Sequence, residues 1–399
     1  MDDRRQVAFV FVGGMHQALH IAPVAAALHA SGAAQVEAFV LDEDATPKLT
    51  EMFVALGAGG IPIVVMKLPP PVAALASCSG RFKTMKLPKL LYWQRRLRRF
   101  DAIVTAERTT TILKRLPGRQ PLLVHIPHGA GDRAKGFEPR LGLFDEVITA
   151  GEKDRRRMVA EGLVRPEHCH AAGYIKLAAV ERLSPVPDIG APLSRERPTI
   201  LYNPHFARKM SSWTRFGEAL ADRIIAEGRY NLIVAPHVRL QERLSAEEAN
   251  AWRRKAVPGR VTVDLGSWRS LDMSYTRAAD LYIGDVSSQI YEYLVTPKPC
   301  LFLDAHGVNW RGNPDYAMWG FGEVCTSVDA AMAAIGTAAA RHGEFADIQR
   351  AAVADALGDT GARAPHLAAL WIMARLAGAT EVPVEVGSGV PDISSAAIR

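Results

Sequence analysis

Three places in the chain hold residues whose type and spacing suit chemistry. The first is the run Ala279-Asp280-Leu281-Tyr282-Ile283-Gly284-Asp285-Val286-Ser287-Ser288, in which an apolar strand stops at a glycine and is followed by good helix caps. A helix starting there would turn free N–H groups and the hydroxyls of Ser287 and Ser288 toward the strand's carboxyl edge, an arrangement that binds phosphate. A plainer reading stands beside it: Asp285 or Ser287 simply caps the helix. The second place is Ile126-Pro127-His128-Gly129. A histidine just past a strand, with Gly129 and Gly131 behind it, sits on a loop where imidazole and backbone can approach a substrate. Its ordinary pKa lies near neutrality, so His128 can take a proton from a hydroxyl, and Asp132 is the carboxylate available to orient it. The alternative is a loop histidine satisfied by backbone. The third place is His237, beside Pro236 and Arg239 at the end of a strand. It either sets positive charge against a diphosphate or is an ordinary exposed strand-end histidine.

A fourth segment, Gly13-Gly14-Met15-His16-Gln17-Ala18-Leu19-His20, follows a strand and opens a helix, the usual position of a ligand-facing loop. Its spacing is not G-x-G-x-x-G, so no dinucleotide fingerprint is present. His16 and His20, four residues apart, share a helix face in a geometry that could chelate a metal. No third ligand or HExxH glutamate accompanies them, and neither a metal nor a cofactor is expected.

These residues need elements to position them. Strand-like runs at 6–12, 36–41, 61–66, 101–105, 121–126 and 146–149 alternate with helical patterns. After a Pro-, Gly- and Ser-rich stretch at 184–198 the alternation restarts. Strands are expected at 199–202, 232–235, 261–263, 281–284 and 300–303, and helices at 213–228 and 246–255. Such repetition predicts an α/β protein of two Rossmann-like domains with parallel sheets facing a central cleft, ligands lying at the carboxyl ends of the strands. The expected division is 1–185 for an acceptor-side domain, 186–378 for a nucleotide-donor domain and 379–399 for a weakly ordered tail. Helical patterns at 346–357 and 366–376 are apolar enough to pack against one of the lobes.

The order Ala-Asp-x-x-Ile-x-Asp-x-Ser-Ser, then aromatic residues, then Lys298-Pro299 and a strand, resembles the CDP-glycerol glycerophosphotransferase (teichoic-acid polymerase-like) family. Three other segments fall in that family's order: Ile126-Pro127-His128-Gly129 with Lys135 downstream, Thr199-Ile200-Leu201-Tyr202-Asn203-Pro204, and Ile233-Val234-Ala235-Pro236-His237. The resemblance spans roughly residues 126 to 304 and implies a GT-B fold. It implies a catalytic or acceptor-activating His128, and contacts from His237, Ser287 and Ser288 to the donor's phosphates. It also implies transfer of a polyol phosphate from a CDP-polyol to a lipid-linked polymer at the inner face of a membrane. The chain departs from the pattern where His205 replaces a Thr and where Tyr291-Glu292-Tyr293 replaces an aromatic-Asp-aromatic element. Separately, Ala22-Pro23-Val24 and Leu28 look like the first helix of UDP-N-acetylglucosamine 2-epimerases, also GT-B proteins, although Val286-Ser287-Ser288 stands where those carry Ser-Gly-Gly.

Bulk composition narrows the classes. The chain has 399 residues, 48% hydrophobic and 23% charged, a globular rather than disordered balance with room for two domains. Its N-terminus, Met1-Asp2-Asp3-Arg4-Arg5, lacks the apolar core of a signal peptide, and no apolar run is long enough to span a bilayer, so a cytoplasmic protein is expected. Four scattered cysteines without a CxxC pair suit a reducing compartment. The net charge of +6 is compatible with phosphorylated substrates or anionic lipid, and no nucleic-acid-binding motif is present. Between Arg81 and Arg99 eight basic residues and no acid interleave with Leu90, Leu91, Tyr92, Trp93 and Leu97. That segment is either a basic amphipathic contact with an anionic membrane or a solvated face packed on its lobe. The leading expectation is a polyol-phosphate transferase gripping its donor through Asp285, Ser287, Ser288, His237 and Arg239, with Gly13, Gly14, His16, Lys135 and His205 as loop or acceptor-side candidates. The rivals are a GT-B glycosyltransferase or epimerase of nucleotide sugars, in which Glu292 contacts sugar or ribose hydroxyls, and a catalytically silent GT-B scaffold.

Overall fold

Parallel strands buried on both faces need continuous apolar runs, and the chain supplies them: Val7, Ala8, Phe9 and Val10 are all buried, as are Ala102 to Thr105. The computed structural model describes residues 4–78 and 85–379. Arg81 and Lys83 of the basic stretch and residues 380–399 of the expected tail lie outside the described residues.

The chain divides into two compact units. The first comprises described residues 4–130, 137–183 and 355–379. Its strands are β1 (Arg5–Phe11), β2 (Ala34–Val40), β3 (Ile63–Val65), β4 (Ala102–Thr105), β5 (Leu122–His125), β6 (Glu146–Thr149) and β7 (Cys169–Ala171). They form a parallel sheet of order β3-β2-β1-β4-β5-β6-β7. The second unit comprises residues 131–136 and 184–354. It holds β8 (Thr199–Asn203), β9 (Asn231–Val234), β10 (Val261–Val263), β11 (Leu281–Gly284), β12 (Cys300–Leu303) and β13 (Glu323–Cys325), parallel in the order β10-β9-β8-β11-β12-β13.

Both sheets reverse their winding beside their first strand, between β1 and β4 and between β8 and β11. Loops leaving the carboxyl ends on either side of such a reversal diverge and leave a crevice in which open α/β sheets bind ligands. The segments after β1, β4 and β5, and after β8, β9 and β11, are therefore the candidate ligand-facing loops.

Three features differ from the sequence reading. Strands β7 (Cys-His-Ala) and β13 (Glu-Val-Cys) were not expected, since neither carries a run of apolar residues. The expected helix 213–228 begins with a π-wound turn, Trp213–Gly217, before the α-helix Glu218–Glu227. Most consequentially, the chain from Asp355 onward belongs to the first unit, not to a domain running from 186 to 378. Helix Arg363–Leu376 packs on Met15–Ser31 and Ile175–Leu183, with Ala364, Ala368 and Ala369 wholly buried. The approach is close. A Cβ on Gly151 would lie 2.3 Å from the Asp355 carbonyl oxygen, and Arg375 Nε donates to Glu146 Oε1 at 2.5 Å.

The basic stretch is largely neutralised within its own unit. On helix Lys86–Leu97, Lys86 pairs with Glu107 at 2.7 Å, Lys89 with Asp42 at 2.8 Å and Arg96 with Glu37 at 3.0 Å. Arg98 is buried and donates to the carbonyls of Leu116 and Pro117. Leu91, Tyr92, Arg95 and Arg99 remain exposed. No helix among the described residues is long and apolar enough to cross a membrane.

Candidate functional site

In the first unit, the loop after β1 and the loop after β5 meet through side chains. Gly13 and Gly14 lead into helix Met15–Ser31. The buried amide of Gln17, one turn into that helix, reaches His128, its Nε2 3.4 Å from the His128 Nδ1. His16 packs edge-on against His128, ring centroids 5.2 Å apart. Around them stand Glu107 from the loop after β4, its ion-pair partner Lys86, and the buried His125, which stacks on Phe144 and bonds to the Thr105 carbonyl. His20 faces Tyr174 instead of forming a chelate with His16. Among the described residues there is no group of three or more His, Cys, Asp or Glu able to hold a metal.

The electrostatics keep this histidine group uncharged. Burial lowers His16 to about 4, helped by His128 and Lys86, and lowers His125 to about 3. His20 is pushed well down by burial and by Lys176. The His128 side chain is open to solvent on one side, yet the protein crowding its other sides lowers its pKa, while Glu107 pulls it back up. Burial raises Glu107, but the bond and charge of Lys86 together with the hydrogen bonds from Thr109 outweigh it, and the carboxyl stays ionised below its usual range. His128 is thus a neutral imidazole beside a carboxylate–ammonium pair, able to accept a proton.

In the second unit, the loops after β8 and β9 build a cationic platform around one aromatic ring. Phe206 has the guanidinium carbons of Arg239, Arg243 and Arg133 at 4.7, 5.2 and 5.8 Å from its ring centroid. The rings of His205 and His237 lie 4.4 and 4.7 Å from it. His205 Nδ1 accepts from the Ala207 N–H at 3.1 Å, and His237 Nδ1 accepts from the Arg239 N–H at 3.2 Å. A neutral imidazole whose Nδ1 is an acceptor carries its proton on Nε2, so both rings present Nε2 as a donor. Burial, with Arg133 and His237 adding repulsion, lowers His205 to about 3 and keeps it neutral. Its Nε2 has no hydrogen-bond acceptor among the described residues. Gln241, on the same turn (Val238–Arg243) as Arg239 and Arg243, also lines a recess of about 660 Å³ beside β10, together with Gly190, Asp264, Ser267 and Tyr275.

The segment after β11 behaves differently from its reading as a helix-start phosphate loop. Asp285 is fully buried and does not cap a helix. Its Oδ2 accepts the backbone N–H groups of His205 at 2.8 Å and Ser212 at 2.9 Å, clasping the two ends of the loop after β8. Burial pushes its pKa up to about 7 against the pull of those bonds, and Oδ1 has no partner among the described residues. Ser287 is buried and accepts from the Gln289 N–H at 3.3 Å. Ser288 precedes a helix of five residues, Gln289–Tyr293, too short for the dipole argument to hold. Glu292 is buried within it. Asp132 has a partner other than His128: the Tyr291 hydroxyl donates to its carboxylate, 2.8 and 2.9 Å from the two oxygens. Lys135 falls on the turn Ala134–Gly136, and its side chain lies outside what is described.

Gln17, Glu107, Lys86, Phe206, Arg133 and Arg243 stand in these two candidate clusters, and the sequence reading passed over them. Only Arg133, five residues past His128, carried a local hint.

No protein-family model matches the chain, and no curated protein matches it. Solved structures do. The Staphylococcus aureus protein MnaA, solved with UDP, is 14% identical with a TM-score of 0.63, covering 96% of this chain and 100% of that one. The UDP-N-acetylglucosamine 2-epimerase of Neisseria meningitidis, bound to UDP-GlcNAc, is 12% identical with a TM-score of 0.54, covering 86% and 94%. The wall teichoic acid polymerase TagF is 11% identical with a TM-score of 0.60, covering 94% and 90%. At these identities the likeness shows the fold: a two-domain, GT-B-like α/β protein.

Proposed function

We propose that the chain is an enzyme acting on a nucleotide-activated substrate, with the substrate's diphosphate held in the second unit. The observation that carries this reading is the platform at the carboxyl ends of β8 and β9. Three guanidiniums and two imidazoles whose tautomers turn Nε2 into donors surround Phe206. Clustered donors of fixed orientation are what a diphosphate requires, and they would meet the charge that builds on a departing nucleotide. The recess beside β10 has the volume of a small-molecule site and is proposed to take the nucleoside.

The finer reading is transfer of a polyol phosphate from a CDP-polyol to a hydroxyl of a lipid-linked cell-surface polymer. The sequence segments resembling the glycerophosphotransferase family support it, as does a fold shared with TagF. In that reaction the acceptor oxygen attacks the phosphorus bearing the polyol, the bond to the bridging oxygen breaks, CMP departs, and the hydroxyl proton passes to neutral His128. Contact with an anionic membrane through Leu91, Tyr92, Arg95 and Arg99 belongs to the same reading. A second reading, chemistry on a UDP-sugar with Glu292 near its hydroxyls, is favoured by the fold neighbours solved with UDP and UDP-GlcNAc.

Product analysis separates the two. Purified protein is screened by thermal shift and chromatography against CDP-glycerol, CDP-ribitol, CMP, UDP and UDP-sugars. Stabilisation by cytidine ligands with CMP release supports polyol-phosphate transfer. Stabilisation by uridine ligands, with a nucleoside diphosphate or an epimerised sugar as product, moves the function to nucleotide sugars. Binding without turnover of any donor would leave only a scaffold. Pelleting with anionic but not zwitterionic vesicles is the expected membrane result.

A further inference from the structure

The short segment 131–136 is counted with the second unit although its flanking residues belong to the first. It is pinned there at three points. Tyr291 donates to the Asp132 carboxylate, and both residues are almost wholly buried. The Ala134 N–H donates to Asp315 Oδ1 at 2.9 Å. Gly131 lies so close to Ser288 that a Cβ on it would stand 3.2 Å from the Ser288 Cβ. Between the first two pins sits Arg133, whose guanidinium comes within 5.8 Å of the Phe206 ring. The fold therefore anchors Asp132 and Ala134 of a six-residue strap by hydrogen bonds, and places a cation on the platform between them.

We propose that Arg133 is a diphosphate-binding residue and that Asp132 with Tyr291 is the positioning pair that delivers it; this rests on the reading of the platform as the diphosphate site. The other two guanidiniums come from the turn after β9, whereas Arg133 reaches the ring on a separate segment of chain. An anion with two phosphoryl groups gains from cations on separate segments, because each can address different oxygens in a fork geometry. Arg133 is also the cation whose charged state is made costly: burial and the neighbouring Arg239 lower its pKa, and Asp315 opposes them. A bound diphosphate would relieve that repulsion, giving binding free energy that a solvated arginine would not supply.

The latch is tested by a double-mutant cycle read by calorimetry, with inorganic pyrophosphate as the probe and CDP and UDP run in parallel. Arg133→Met is expected to weaken pyrophosphate binding roughly tenfold or more, the loss of a charge-assisted contact. Tyr291→Phe keeps the ring and removes only the hydroxyl. It is expected to weaken binding by a similar factor, and the double variant to be no weaker than Arg133→Met alone. Wild-type protein that binds none of the three probes would overturn the platform reading itself. Wild-type binding with Arg133→Met unaffected would overturn the Arg133 proposal and leave that reading standing. Additive losses in the cycle would show that Tyr291 acts by another route and would overturn the latch. Asp132→Asn, which keeps an acceptor for the hydroxyl, should bind closer to wild type than Tyr291→Phe.

Discussion

The side-chain amide of Gln17 fills the space that a Cβ on Gly13 would need: such a Cβ would lie 1.6 Å from Oε1 and 2.2 Å from Nε2. The same amide touches His128. Gly13 is therefore required by what its neighbour does across the loop. A methyl group there meets only the end of a flexible side chain, so the fold can absorb it, but Gln17 must leave His128. We expect Gly13→Ala to change Tm little and to lower turnover of the productive donor by about tenfold, the scale of one lost positioning hydrogen bond. The imidazole titration of His128, followed by NMR, should move in Gly13→Ala as it does in Gln17→Ala. An unchanged titration would break the link between the two loops.

Acidification should destabilise the protein from pH 6.5 downward. His16, His20, His125, His128 and His205 all have folded pKa values below their ordinary one. Between pH 6.5 and about 4 the unfolded chain binds protons that the folded chain refuses, so stability falls as pH falls through that window. For the fully buried His125 the effect is on the order of a few kcal/mol once pH approaches 3. Thermal unfolding at pH 7.5, 6.0 and 5.0 should show a declining Tm, and His125→Gln should flatten part of the decline.

Asp285 acts in the opposite sense. Its folded pKa of about 7 lies above the unfolded value, so its ionisation costs stability as pH rises from about 4 to 7. Five histidines against one carboxyl leave the net trend with the histidines. The carboxyl should still be visible by difference: the Tm of Asp285→Asn minus that of wild type should increase with pH across the window and level off above 7. A difference independent of pH would mean that Asp285 is ionised throughout. The variant keeps an oxygen for the N–H groups of His205 and Ser212, so the loop after β8 should stay closed.

Gly151→Ala tests the seam at Asp355. Backbone atoms, not a flexible side chain, stand 2.3 to 2.7 Å from the position a Cβ would take. The substitution should cost about 1–3 kcal/mol, the usual penalty of overpacking, and chemical denaturation should show the loss in the first unit.

The alternating strands and helices, and the two-sheet architecture they imply, were legible because most of the parallel strands carry an apolar or β-branched run: β6, β10, β11 and β12 fall where the sequence predicts them. The placement of His128 and His237 just past β5 and β9 was legible because each follows an apolar run closed by a proline. Asp285 was misread because a cap and a buried clasp look identical in sequence; only the loop after β8, some 80 residues away, tells them apart. Gln17, Glu107 and Phe206 had no local signature, since each acquires its role from a partner on another loop. The charge of residues 81–99 overstated a basic surface for the same reason: Glu37, Asp42 and Glu107 answer it from distant segments.

The return of the chain to the first unit at Asp355 has a consequence for biosynthesis. Every strand of that unit has been synthesised by residue 171, but the helix that covers Met15–Ser31 and Ile175–Leu183 ends at Leu376. Translation delivers the whole of residues 184–354 before that cover exists. On a ribosome the later-encoded unit can therefore reach its native state first, reversing the usual N-terminal-first order. Until the last helix emerges, the exposed flank of the first sheet would have to be shielded by chaperones or by transient contacts.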